Sequence, residues 1–109
     1  MTIQDLLEIA KPYGVVGISL GGCVDLNWKG TKTAMRRSGH AHNCPVWKGK
    51  KLPHYGWICI KSSRIERLLK ADGKPNQLFF HEVSHIYRRS RTQKEGDKWA
   101  WNMTRNYQS

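Results

Sequence analysis

The sequence predicts a single α+β domain: an N-terminal helix, a small and mostly antiparallel sheet, then three helices. Three observations carry this reading. The 109 residues suffice for one core and are too few for two. Apolar residues recur at helical spacing at the start of the chain and again beyond Lys61. Between those stretches, short β-prone runs alternate with Gly-containing polar turns.

The elements follow in order. Thr2 with Asp5 three residues on makes a capping-box-like start, and Ile3, Leu6, Leu7 and Ala10 share one helical face. Pro12 and Gly14 close that helix. Strands are expected at 15–20, 23–28 and 57–60, with a further one around 33–41 inside a long basic stretch. A short helix is expected over 62–70, and Asp72-Gly73-Lys74-Pro75 turns the chain after it. A second helix covers about 75–89 and a third about 93–107.

Charge departs from the ordinary. Nineteen Lys and Arg against eight Asp and Glu leave a formal net charge of +11. Such a field attracts polyanions, and makes DNA a partner to test for. Lys29, Lys32, Arg36 and Arg37, and separately Lys48, Lys50 and Lys51, cluster near Trp28 and Trp47. Cations interleaved with aromatics suit phosphate contact and base stacking, although tryptophans also serve as core and rim packing. Arg88, Arg89, Arg91 and Lys94 complement a helix C-terminus. The start of the chain carries Asp5 and Glu8 and no cleavage-site pattern, and no apolar run reaches the ~18 residues of a membrane span. Cys23, Cys44 and Cys59 are odd in number and lack C-x-x-C spacing, which fits a reducing compartment. The expected location is the cytoplasm, with no membrane partner, and Asn102-Met103-Thr104 is then no glycan acceptor. Nothing in the pattern sets an oligomeric state.

The chemistry is concentrated in His81-Glu82-Val83-Ser84-His85, an H-E-x-x-H sequence. Residues four apart on a helix stand one turn above each other, so both imidazoles can reach one tetrahedral zinc ion. Glu82 is placed to take a proton from an attacking water and pass it to a leaving amine. Leu78, Phe79, Phe80, Val83 and Ile86 give the helix a core-facing side.

A catalytic zinc site needs a third protein ligand. Beyond His85 there is no His or Cys and only two acids, Glu95 and Asp97. They lie about 200° apart around a helix, so at most one faces the metal. The apolar stripe of Trp99, Ala100, Met103 and Tyr107 runs between them and does not choose. Either acid is also the kind of helix-start carboxylate that the dipole favours.

The stretch from Gly56-Trp57-Ile58-Cys59-Ile60-Lys61-Ser62-Ser63 through Leu78-Phe79-Phe80-His81-Glu82-Val83-Ser84-His85-Ile86-Tyr87 resembles the protease core of SprT-like (Spartan-type) zinc metallopeptidases. The resemblance covers roughly residues 55–103. It implies a minimal zincin-like fold and a zinc endopeptidase, with one Zn2+, a protein or peptide substrate, and action on DNA-associated proteins. Glu95-Gly96-Asp97-Lys98-Trp99 falls where that family has a His-Gly-x-x-aromatic setting, so Glu95 stands in the place of the third histidine. The implied ligand set is His81, His85 and Glu95, with Glu82 catalytic and Asp97 as alternative or outer-sphere group. The segment is also similar to small gluzincins of the ImmA/IrrE type, whose Glu-x-x-x-Asp spacing would put Gln93 at the ligand position.

Three further segments carry weaker expectations. His40-Ala41-His42-Asn43-Cys44 sets potential ligands at period two, for a second metal or a substrate groove, or simply forms a polar loop. His54 and Tyr55 precede the last strand and can act as electrophilic donors to a scissile carbonyl. Trp57, Ile58, Cys59 and Ile60 are expected to form an edge strand on which an extended peptide can lie. The competing function is a basic nucleic-acid-binding domain with a structural or vestigial zinc and no catalysis.

Overall fold

Thr2 opens the first helix, α1 (Ile3–Ala10), by a reciprocal cap. Its Oγ1 accepts from the Asp5 amide at 3.1 Å, and its own amide donates to Asp5 Oδ2 at 2.8 Å. These bonds hold the Asp5 carboxyl below the usual carboxylate range. Leu6 and Ala10 are the buried positions of the helix. A 3-10 turn at Lys11–Tyr13 follows, and Gly14, at φ 96°, takes the left-handed conformation that releases the chain toward the sheet. The computed structural model describes residues 1–22, 39–43, 46–47, 49–51, 54–87 and 93–107. The strand expected at 23–28 and the 33–38 part of the next lie outside them.

Among the described residues the main sheet has three strands: β1 (Gly17–Leu20), β2 (Gly39–Ala41) and β5 (Trp57–Ile60). A separate two-stranded hairpin joins β3 (Val46–Trp47) to β4 (Lys50–Lys51), with Gly49 at φ 78° in its turn. In the main sheet β5 is the middle strand. β1 runs parallel to it, Gly17 opposite Trp57 and Leu20 opposite Ile60. β2 runs antiparallel on the other side, Gly39 opposite Ile60 and Ala41 opposite Ile58. Among the described residues the main sheet is therefore mixed, with one parallel and one antiparallel pair, and the hairpin adds a second antiparallel pair. The connection from β1 to β5 is long enough for the crossover that a parallel pair requires.

The helix expected over 62–70 reduces to a 3-10 turn at Ile65–Leu68. Leu69 is already extended and bridges to Pro75, and the Lys70 amide donates to the Lys74 carbonyl at 2.8 Å. Asp72 and Gly73, the latter at φ 83°, make the reversal between them. Because Pro75 is engaged in that bridge, the next helix, α2 (Gln77–Tyr87), starts two residues later than expected. Asn76 caps it, its Oδ1 accepting from the Phe79 amide at 3.1 Å. The last helix is α3 (Gln93–Asn106).

α2 lies between the sheet and α3. Phe79, Phe80 and Val83 are completely buried and meet Ile58 and Ile60 of β5, Leu6 of α1, Leu68 and Ala100 in one core. Tyr13, Tyr87 and Trp99 close its rim, with Tyr13 edge-on to both others at centroid distances of 5.1 and 5.5 Å. The described residues form an α+β arrangement with three α-helices. No helix among the described residues is long and apolar enough to cross a membrane.

Candidate metal centre

The core-facing side of α2 carries Phe79, Phe80, Val83 and Ile86, which leaves His81 and His85 half-buried, one turn apart. Their Nε2 atoms point at one another across 3.1 Å, with the rings 4.7 Å apart and at 88°. Two imidazoles sharing a tetrahedral zinc, each at about 2.05 Å, place their nitrogens ~3.3 Å apart. The convergence thus suits a single small cation. Glu82 is 3% exposed, and its Oε1 stands 3.9 Å from His81 Nε2. The donor atoms of His81, Glu82 and His85 all lie within 4.8 Å of one another, which makes them a group that could hold a metal ion. Two imidazoles and a carboxylate are borderline-hard donors of the kind zinc takes.

Two glycines to which the sequence pattern gives no role let other elements reach this group. A Cβ on Gly39 would stand 2.9 Å from Glu82 Oε2 and 3.1 Å from Ile60 Cδ1, so any larger residue there would displace the Glu82 carboxylate that β2 passes across. A Cβ on Gly96 would stand 2.8 Å from Ser84 Oγ and 3.6 Å from the His81 ring. The backbone of α3 therefore rests on α2 beside the first histidine. Ser84, fully buried, turns its hydroxyl back to the His81 carbonyl at 2.5 Å. For Gly39 the signal in the sequence was an isolated Gly, consistent with several roles, while Gly96 also falls in the Glu95-Gly96-Asp97 stretch of the resemblance.

Gly96 also sets which of the two acids faces α2. Among the described residues, the buried positions of α3 are Gly96, Ala100 and Thr104. From their mean direction Asp97 is displaced by about 60° and Glu95 by about 140° around the helix. Asp97 accordingly faces α2: its Oδ1 lies 2.7 Å from His81 Nδ1 and accepts from Gln77 Nε2 at 2.6 Å. His81 Nδ1 is buried without an aligned hydrogen bond, so its contact with Asp97 is one of charge and dipole that a small ring rotation would align. The geometry is that of a carboxylate behind a metal-binding histidine, on the ring nitrogen the metal does not use. Glu95, assigned to the third ligand position by resemblance, is exposed and does not join the convergent group. The apolar stripe read from the sequence lies about 45° around α3 from the face where small side chains allow contact, and that rotation is toward Asp97.

No protein-family model matches the chain, and no curated protein or solved structure shows a significant likeness to it. The likeness to SprT-like peptidases rests on the motif residues alone.

Away from the motif helix, the edge-strand role of Trp57, Ile58, Cys59 and Ile60 is corrected: β5 is paired on both sides, so its backbone groups are committed to β1 and β2. His54 (φ 63°) and Tyr55 occupy the turn before β5, held by the Trp57 amide donating to the His54 carbonyl at 3.0 Å. Neither belongs to the convergent group. His40 and His42 do share a short strand and its extension, their rings 4.7 Å apart, and His54 follows at 6.1 Å from His42. Burial first, and then the neighbouring His42 and His85, push the His40 imidazole down to about 4. His40 is thus a neutral ring within electrostatic range of the second histidine of the motif. Among the described residues, these three histidines form no metal-holding group. Of the basic clusters, Lys29, Lys32, Arg36, Arg37 and Lys48 lie outside the described residues, as do Cys23 and Cys44. Lys50 and Lys51 form β4, with Lys51 exposed.

Proposed function

We propose that this chain is a zinc-dependent peptidase, zincin-like in plan and SprT-like in its motif, in which His81 and His85 hold the metal and Glu82 is the general base. The observation that supports this most is the convergence of two imidazole nitrogens at 3.1 Å beside a buried carboxylate. A hydrogen bond between the two rings also brings their Nε2 atoms this close, and the buried Glu82 carboxylate beside both is what favours a shared cation. Zinc bound there would supply Lewis acidity, polarising a peptide carbonyl and making water more acidic. The third protein donor is assigned to Glu95, which precedes the glycine that rests on His81 and whose side chain must rotate inward to serve.

The chain's own groups then divide the work. Glu82 Oε1 takes the proton of the attacking water, and the same carboxyl returns it to the departing amine nitrogen. Asp97 fixes the His81 ring through Nδ1 and keeps its other nitrogen available as a ligand. The substrate would lie along β2, which among the described residues pairs on one side only and passes directly over Glu82.

The test is metal analysis of the purified protein together with proteolysis of unfolded casein and of a DNA-bound protein. Zinc-dependent cleavage is expected, and Glu82→Gln should abolish it while metal content stays the same. Stoichiometric zinc with no cleavage of any substrate would turn the assignment toward a structural metal in a basic binding domain.

A further inference from the structure

α3 presents a second face that the metal centre does not use. Lys94, Lys98, Trp101 and Arg105 are all exposed and fall within about 60° of the helix circumference. Trp101 is 54% exposed, unusual for the largest apolar side chain, and stands between two open recesses. One, of about 430 Å³, is bordered by Lys98, Trp101 and Arg105. The other, of about 630 Å³, runs from Trp101 across to Arg67 and Lys70 and reaches His81 at its inner end. Asp97 lines this second recess too, and Lys70 has Asp72 at 3.7 Å, so the cationic excess is concentrated at the rim.

We infer that this face is a binding surface for a single-stranded polynucleotide, with Trp101 as the stacking platform and Lys98, Arg105, Arg67 and Lys70 as phosphate contacts. Complementary chemistry selects this partner. An indole that is more than half exposed and borders both recesses is accessible for stacking, and a flat heteroaromatic ring is the partner that uses it. Cations flanking that ring at the spacing of a helical turn suit a backbone that alternates bases with charges. An acidic peptide matches the charge but brings no flat ring for Trp101. A duplex matches the charge, but its bases are already stacked on each other. The chain's net charge of +11 adds a field that draws either strand in. This surface is distinct from the Lys29–Arg37 and Lys48–Lys51 clusters singled out in the sequence, and it does not depend on the hydrolytic reading of the metal centre.

The test is fluorescence anisotropy of the full chain with a labelled oligothymidylate of about 12 nucleotides. Trp101→Ala should weaken binding at least about fivefold, the loss of one stacked base, while Trp101→Phe retains most of it. Lys98→Glu with Arg105→Glu should flatten the slope of log affinity against log salt by ~1.4, at ~0.7 for each phosphate no longer neutralised. A duplex of equal length and poly-glutamate should compete poorly. All of these positions are exposed, and circular dichroism checks that each variant is folded. Affinity unchanged in Trp101→Ala and in the double charge variant would overturn the inference, even if the protein binds DNA elsewhere. Poly-glutamate or duplex competing as well as the single strand would overturn it too, and so would no binding at all.

Discussion

At the scale of single residues, the division of labour among the acids is the sharpest expectation. Among the described residues Asp97 meets His81 Nδ1 and Gln77, and in the proposed site it positions the ring. Asp97→Asn should therefore weaken zinc binding by about 10- to 100-fold and leave the ion's coordination by His81 and His85 intact, as measured by competition with a chromogenic chelator. Glu95→Gln separates the assigned third donor from an exposed bystander: a comparable loss supports the assignment, and an unchanged affinity removes it. His40 makes a pH prediction. Its imidazole is held down to about 4 against an ordinary 6.5, so above pH 6.5 both folded and unfolded chains carry it neutral. As pH falls from 6.5 toward 4 the unfolded chain takes up a proton that the folded one refuses, and folding loses stability over that window. Denaturant midpoints at about pH 7 and about pH 5, in the presence of a chelator, should show the loss, and His40→Gln should reduce it.

At the scale of elements, the α2–α3 contact is set by a missing side chain. Gly96 lets the α3 backbone sit on Ser84 and His81, and an added methyl would come within 2.8 Å of Ser84 Oγ. Gly96→Ala gains up to about 1 kcal/mol of helix propensity, yet overpacking costs typically about 1–3 kcal/mol. A net loss of stability is expected, accompanied by weaker metal binding because Asp97 moves with the helix. Ser84→Ala in the same chain removes the clashing oxygen and should recover part of the loss, which a thermal-denaturation double-mutant cycle reads directly. The sheet has a parallel requirement at Gly39, where β2 crosses Glu82.

At the scale of the whole molecule, the candidate metal group lies on one helix where distant parts of the chain pack together. α2 supplies His81, Glu82 and His85, while β2 and α3 press on it from either side. An ion that binds the folded state alone stabilises it by about 2.7 kcal/mol at roughly one hundred times its dissociation constant. For a domain of this length that raises the melting temperature by roughly 10 °C or more. Calorimetry should show this rise on zinc addition for the native chain and for Glu82→Gln, and no rise for His85→Ala. A rise that survives in His85→Ala would place the metal elsewhere.

Local patterns suffice where local physics decides. The capped first helix, the strand at Trp57–Ile60, the helix that carries His81 and His85 and the final helix all follow from capping, alternation and 3.6-residue periodicity, which neighbouring residues enforce by themselves. The two stacked imidazoles were legible for the same reason: four residues is about one turn. The short helix at 62–70 was not, because the Leu69–Pro75 bridge that limits it is a pairing across the turn. Nor was the central position of β5, since strand order depends on a connection whose path no local pattern records. Which acid meets His81 depended on how closely two helix backbones could approach, and that is a matter of volume between elements. Periodicity fixes what one turn presents to the next; only packing fixes what it meets.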